Sequence, residues 1–368
     1  MSLQAKSLGL LDSNCELALA WERLVKQNPS AGIMQSLNWA CMKRAQGLNS
    51  VHVGLFDNET LVGGAIFYLA QEAQSRGTGM MVAPEGPVID WLDKQKSALQ
   101  LRALAGFAQK FARSNGIMSM RVEPRLPLPL PAVLREFGRA PYDLVPRDTL
   151  YVDIDKDEND ILMAMKSKGR YNIKLSQKHN VKLSSFGHFN FDAANSFYEA
   201  VNQASVRDGF ALEPKPFFDN MIAHLCEKGL ATVLLAHHED ELLGGLLLTH
   251  YGERATYLYG GVTNAKRQMM GGYALQWAAM KKAKEQGCKN YDFYGYVPHR
   301  SPEHRYSRFS QFKSQFGGRP FRFIGAQDYM FLDNIAEVFI KAAQEVEGRK
   351  TEVQVGAEKT RFIAGFNF

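Results

Sequence analysis

VHVGLFDNETLVGGAIFYL at residues 51–69 and TVLLAHHEDELLGGLLLTH at residues 232–250 place a glycine pair, Gly63-Gly64 and Gly244-Gly245, at the same point of two strand–turn–strand units. The pairs lie about half of the 368 residues apart, which suits two similar domains rather than a short-period solenoid. Each unit has the same sequel. A helix over Leu99 to Arg113 leads through Asn115-Gly116 into IMSMRVEP, and a helix over Tyr273 to Glu285 leads through Gln286-Gly287 into CKNYDFYG. Leu101, Leu104, Ala105, Ala108 and Phe111 recur at helical spacing, as do Ala274, Leu275, Ala278, Ala279 and Ala283, so each helix can lay one apolar face on a sheet. Each half therefore reads as hairpin, helix, strand, and the fold class is α/β (α+β) by internal duplication. Two unrelated α/β units sharing this grammar are the competing reading. The expected domains are residues 1–150, 151–345 and a C-terminal segment 346–368 that returns to pack on the first.

With 45% hydrophobic residues the chain can bury more than one core. Its longest apolar run with glycines allowed, LLGGLLL at 242–248, falls far short of the roughly 20 residues of a membrane span. The N-terminal residues carry acids and only a brief apolar stretch, unlike a signal peptide, so a cytoplasmic location is the expectation. Cys15, Cys41, Cys226 and Cys288 are scattered, which argues against a disulfide framework or a cysteine zinc site. His237, His238, His299 and His304 show no metal-ligand spacing with carboxylates, so no metal is predicted; no cofactor is expected either.

The net charge of +6 points to anionic partners, and the basic residues gather at 166–182 and 299–322. The first run reads as part of a helix from Ile161 to Lys178, with a solvated basic face as the bland alternative. The second, carrying Gly317-Gly318, reads as a loop followed by a strand.

Within that second run, Gln311 to Gly318 (QFKSQFGG) resembles the F-K-x-x-F-G-G signature of the Fem family. Further segments follow the family order: QSLNW at 35–39, GPVID at 86–90, RVEP at 121–124, KGRYNIK at 168–174, RDGF at 207–210, YLYGG at 257–261 and YDFYG at 291–295. The resemblance spans roughly residues 33 to 329. It implies two tandem GNAT-like (N-acyltransferase) domains, in agreement with the duplication, of the compact type without a helical arm. The activity implied is an aminoacyltransferase of peptidoglycan biosynthesis, and hence of cell wall biogenesis and cell shape. It would carry an aminoacyl group from an aminoacyl-tRNA donor to an amine on the stem peptide of a UDP-linked or lipid-linked muramyl peptide acceptor. Such an acceptor leaves room for peripheral contact with the inner membrane surface.

The same resemblance nominates site residues. Lys313 would stabilise the oxyanion of acyl transfer and Phe312 would shape the channel beside it. Arg207, at the end of a helix through Phe197, Val201 and Ala204, would hold a diphosphate with its planar fork. Ser36, Trp39 and Asp90 would meet the stem peptide on the first domain's side. Tyr257 and Tyr259 would face one cleft together because strand side chains alternate. Against these stand a surface Lys313 with core phenylalanines, a local Arg207–Asp208 salt bridge, and Trp39 as a core residue of a helix from Gln35 to Arg44. Asp292 and Glu123 are both open as a general base. Arg267 to Gly272 (RQMMGG) approximates the loop with which acetyltransferases hold coenzyme A pyrophosphate, with the spacing off by one. An acyl-CoA-dependent N-acyltransferase on another amine or amino sugar is therefore the alternative enzyme, and a non-catalytic nucleic-acid-binding module the alternative outside enzymes.

Overall fold

The computed structural model describes residues 3–11, 15–70, 79–297 and 307–331. The chain divides into two compact units, one reaching to Val145 and rejoined from Ile324, the other Pro146–Phe323. The first contains β1 (Leu3–Ser7), α1 (Glu16–Gln27), α2 (Leu37–Ala45), β2 (Ser50–Asp57), β3 (Thr60–Ala70), β4 (Gly79–Pro84), α3 (Lys94–Asn115), β5 (Ile117–Glu123) and β6 (Gly138–Arg139). The second contains β7 (Asp148–Asp153), α4 (Glu158–Ala164), α5 (Ser167–Lys178), β8 (Lys182–Phe186), α6 (Phe191–Asp208), α7 (Lys215–Cys226), β9 (Ala231–His238), β10 (Glu241–Tyr251), β11 (Arg254–Val262), α8 (Gly271–Glu285), β12 (Asn290–Asp292), α9 (Ser307–Lys313) and β13 (Arg319–Arg322). A last strand, β14 (Gln327–Met330), belongs to the first sheet.

The repeat read from the glycine pairs is a repeat of topology. In the first sheet β2, β3 and β4 pair antiparallel in sequence, and α3 then crosses over so that β5 lies parallel to β4. In the second, β9, β10 and β11 do the same and α8 brings β12 parallel to β11. The crossover helices end where the sequence puts their stops. Asp93 caps α3 by accepting from the amides of Gln95 and Lys96 at 2.9 and 3.0 Å, and Gly116 closes it at φ 64°. Leu101, Leu104, Ala108 and Ala112 of α3 and Leu275, Ala279 and Ala283 of α8 enter separate buried cores, one per unit. The sheet orders are β1-β2-β3-β4-β5-β14-β6 and β13-β7-β12-β11-β10-β9-β8.

Three expectations about organisation differ from this structure. A division at 150/151 would cut through β7, an interior strand of the second sheet, and the second unit ends at Phe323 rather than 345 because β14 pairs with β5. The segment 346–368 lies outside the described residues, as do His299 and His304. The helix expected from Ile161 to Lys178 is broken at Met165 and Lys166, both extended, where the Lys166 amide donates to the Gln315 carbonyl at 3.1 Å. The motif expected on a loop lies on α9, which carries Phe312 and Lys313, and a turn of 3₁₀-helix before Gly317-Gly318 and β13.

Candidate active site

The duplicated sheets differ at their parallel pair, and that difference makes the site. In the first unit β4 and β5 stay paired to their ends, with one register shift between Gly79 and Met80 and Pro84 opposite Glu123. In the second, β11 and β12 share three pairs, Arg254 with Asn290 to Thr256 with Asp292, and then part. The chain beyond β12 stays with β7, through Phe293 N to Leu150 O at 3.0 Å and Tyr296 N to Asp148 O at 2.9 Å. Among the described residues, the β11 edge from Tyr257 to Val262 that faces away from β10 is left without a strand neighbour.

A pocket of about 470 Å³ opens in this second unit. Its walls are Leu243, Leu246, Tyr257, Tyr273, Leu275 and Phe312; its polar lining includes Asn172, Gln276, Arg207 and Asp208, with Lys168 and Arg267 at exposed positions. The α8 N-terminus contributes Gly271 and Gly272. These precede the first bonds of the helix, from the Tyr273 and Ala274 amides to the Met270 carbonyl at 3.0 and 3.2 Å, so they lie where a helix leaves donors unspent. Glycines set the depth of the pocket. A Cβ on Gly261 would stand 2.5 Å from the Ala200 carbonyl of α6, and one on Gly260 would stand 2.5 Å from the Tyr257 ring. Only bare backbone lets α6 lie this close to the sheet and deliver Arg207 and Asp208 to the rim.

Lys313 sits beneath this opening rather than in it. The side chain is buried, and its ammonium spends all three donors on consecutive carbonyls: Phe293 at 2.8 Å, Tyr294 at 2.5 Å and Gly295 at 2.7 Å. The three oxygens converge because Tyr294 and Gly295 are left-handed, at φ 47° and 65°. They belong to the stretch that leaves β11, so the lysine does for them what a neighbouring strand would have done. Burial pushes the ammonium down to about 7 and the nearby Asp292 carboxylate pulls it up; the three accepting carbonyls also favour the charged form. Its Nζ lies 5.5 Å from the centre of the Tyr257 ring, and that ring lines the pocket. Phe312 lines the pocket too, edge-on to Tyr273 at 5.1 Å and to Phe316 at 5.2 Å.

Arg207 projects from the end of α6 as expected, but it is already held. It forms two hydrogen bonds to Asp208, at 3.1 and 2.8 Å, and Nη1 donates to Val262 O at 2.8 Å and Asn264 Oδ1 at 3.2 Å. Tyr257 and Tyr259 do not face one cleft. A bulge makes Leu258 an extra residue, with Tyr257 opposite Leu248 and Tyr259 opposite Leu247, and neighbouring residues of β10 face opposite sides. Tyr259 consequently packs edge-on to Phe218 of α7 at 5.0 Å.

In the first unit the named residues are mostly structural. Ser36 is fully buried and caps α2 by accepting from the Trp39 amide at 3.1 Å, and Trp39 is a core residue with 2% exposure. Their neighbour Gln35 acts as a splice between diverging strands, donating to Ile66 O and Pro84 O at 3.1 and 2.9 Å and accepting from Ile66 N at 2.8 Å. Neither Ser36 nor Trp39 is presented to a substrate. Asp90 is partly exposed before α3, 3.6 Å from the Lys96 ammonium. Of the open candidates for a base, Asp292 accepts from Thr149 Oγ1 and, at 2.9 Å, from the Tyr294 amide, and so stabilises the left-handed turn. Glu123 is buried against the Leu144 and Val145 amides at 2.7 and 3.0 Å. The pocket's own carboxylate is Asp208, engaged by Arg207. Sequence reasoning missed Asn172 and Gln276. Asn172 lay inside the quoted KGRYNIK segment, and the signal was a polar residue on the apolar side of a helix. Among the described residues no three histidine, cysteine or acidic side chains converge as a metal site.

Comparisons with known proteins agree with this architecture. A model of the FemAB family matches residues 18–131, and one described as an acetyltransferase (GNAT) domain matches residues 167–307. The lipid II:glycine glycyltransferase of Staphylococcus haemolyticus is 22% identical over 91% of this chain and 95% of its own length, and that of Staphylococcus aureus (strain MRSA252) is 20% identical over the same shares. The crystal structure of FemX superposes with a TM-score of 0.76 at 18% identity, covering 87% of this chain and 98% of FemX. A tandem GNAT protein from the clavulanic acid pathway superposes at 0.55 with 13% identity, covering 89% and 98%. Duplicated sheets, a single opened parallel pair and these matches lead to one assignment: the chain is an acyltransferase built of two tandem GNAT-like domains, similar to the FemAB family over residues 18–131.

Proposed function

We propose that this chain transfers an aminoacyl group from aminoacyl-tRNA to an amine of a peptidoglycan-precursor stem peptide, with the acyl ester held in the pocket of the second unit. The observation that carries the reading is the parting of β11 from β12 in one copy of the duplicated sheet but not in the other. The glycyltransferase relatives act on lipid II, which supports a lipid-linked muramyl peptide as acceptor. No helix among the described residues is long and apolar enough to cross a membrane. A lipid-linked acceptor would be met at the cytoplasmic membrane surface.

In the step itself the acceptor nitrogen attacks the ester carbonyl and a C–N bond forms. The tetrahedral carbon carries an oxyanion, and its collapse breaks the C–O bond to the ribose, whose oxygen leaves with a proton. Holding the two reactants together supplies most of what the protein can offer. Phe312 and Tyr257 shape the wall beside the ester. The amides of Gly271 and Gly272 and the charge of Lys313 beneath Tyr257 make the site electropositive where the oxyanion forms. Lys313 acts first as a positioning residue, because direct contact with the ester would require it to leave its three carbonyls. Arg207 meets an acceptor phosphate through its remaining N–H, or fully by exchanging Asp208 for phosphate.

One observation favours a second reading: the Arg267–Gly272 loop at the α8 N-terminus is also a site suited to a pyrophosphate, as in an acyl-CoA. Supplying labelled aminoacyl-tRNA and labelled acetyl-CoA in parallel, with a UDP-linked muramyl pentapeptide and a panel of amines, separates the two. Label reaching the pentapeptide from tRNA supports the proposal; label moving only from the thioester overturns it.

A further inference from the structure

The helix α5 carries a basic face that runs outward from the acyl-transfer pocket, whose lining includes its Lys168 and Asn172. Its sequence, SKGRYNIKLSQK, has four basic residues and no acid. Arg170 is occupied by the Met163 and Met165 carbonyls. Lys168, Lys174 and Lys178 are exposed and have no ion pair or hydrogen bond among the described residues. Tyr171, between them, is 64% exposed. At about 100° per residue, Tyr171, Lys174 and Lys178 fall on one face opposite buried Gly169, Ile173 and Ser176, with Lys168 on the flank. Lys168 and Asn172, four residues apart, share the side that lines the pocket. Asn172 is 5% exposed and its side-chain amide makes no hydrogen bond among the described residues, so an unspent polar group marks the inner end of this path. Unpaired cations flanking an exposed aromatic ring, leading to a pocket with an open amide, match a nucleic-acid strand: phosphates meet lysines, a base stacks on the tyrosine, and the strand's end enters.

We propose that the outer face of α5, from Lys168 through Tyr171 to Lys174 and Lys178, is the docking surface for the RNA that carries the acyl group, and that Asn172 hydrogen-bonds the RNA's terminal nucleotide in the pocket. This rests on the aminoacyl-tRNA reading above and adds the place and the residues. An anionic lipid surface would also be drawn to lysines, but it has no use for a buried amide at the end of the row.

The test uses the full chain and two probes, an RNA stem–loop with a single-stranded 3′ end terminating in adenosine, and phosphatidylglycerol vesicles. For the Lys168→Gln/Lys174→Gln/Lys178→Gln variant, the RNA Kd is expected to rise about tenfold or more, and the slope of log K against log salt to fall by roughly 2 to 3. Tyr171→Ala is expected to weaken RNA binding roughly tenfold with little change in salt slope. Removing the same charge from α3, with Lys94→Gln/Arg102→Gln/Lys110→Gln, should leave RNA binding unaltered. All these positions lie on the protein surface, and thermal unfolding of each variant verifies that the fold is kept. An α5 variant that binds RNA like the wild type overturns the proposal, as does an equal loss in the α3 variant, or a loss confined to vesicles. If the wild type transfers from aminoacyl-tRNA while the α5 variants do so equally well, only this placement falls. If the wild type neither binds RNA nor accepts that donor, the donor reading falls with it.

Discussion

The Lys313 ammonium lies 2.8 Å from the carbonyl oxygen of Phe293, and the next two carbonyls close on the same nitrogen. A residue marked by sequence as the catalytic cation is thus the clasp that holds the second sheet open. Lys313→Met would take the ammonium donor away from three buried carbonyls, at a cost of about 3 kcal/mol or more. The expected result is a lowered unfolding temperature together with lost transfer. A lysine acting only on the reacting atoms would lose rate at unchanged stability, and that pair of measurements decides between the two roles.

Asp208→Asn tests Arg207. If the guanidinium serves an acceptor phosphate, removing the competing carboxylate should lower KM for a diphosphate-linked acceptor by roughly threefold to tenfold, equivalent to about 1 kcal/mol. If Arg207 serves only to tie α6 to Val262 and Asn264, the variant should bind no better and melt earlier.

Gly260→Ala places a methyl group 2.5 Å from the Tyr257 ring, which lines the pocket. Overpacking of this kind costs about 1–3 kcal/mol, and here the ring also takes space from the acyl group. The expectation is a fall in kcat/KM for the donor larger than the change in stability implies, with recovery in Gly260→Ala/Tyr257→Leu. Absence of that recovery would show that Tyr257 is not what the methyl group displaces.

Glu123 gives a pH signature. Burial raises its carboxyl from 4.5 to about 8, against the pull of the Leu144 and Val145 amides. Between those values the folded chain holds a proton that the unfolded chain has released. The contribution is full below pH 4.5 and is lost as pH rises through 8, with a slope of at most about 1.4 kcal/mol per pH unit. Denaturant midpoints across that range should fall more steeply in the wild type than in Glu123→Gln; parallel slopes would contradict the assignment.

Much of this was legible in the residues. The repeated glycine pairs announced two hairpin–helix–strand units, and both sheets repeat that topology. The end of α3 followed from Gly116, whereas the caps Asp93 and Ser36 were not read as caps, and α3 begins at Lys94 rather than Leu99. What escaped were features set by partners distant in sequence. The alternation of Tyr257 and Tyr259 depends on a bulge against β10, and no local pattern specifies the extra residue at Leu258. Lys313 looks like any exposed lysine until the parting of β11 from β12 brings three carbonyls to it. Asn172 reads as one polar residue in a basic helix until α5 is laid beside α8. QSLNW, taken as a substrate edge, turned inward because Gln35 is needed to splice β3 to β4.

Mass spectrometry of a lipid-linked muramyl pentapeptide after incubation with this chain and a charged tRNA pool tests the central claim most directly. The account predicts a product heavier by one aminoacyl residue, formed only with intact tRNA and lost in Lys313→Met. An unmodified peptide, or one acylated equally well after ribonuclease treatment when an acyl-CoA is supplied, would contradict it.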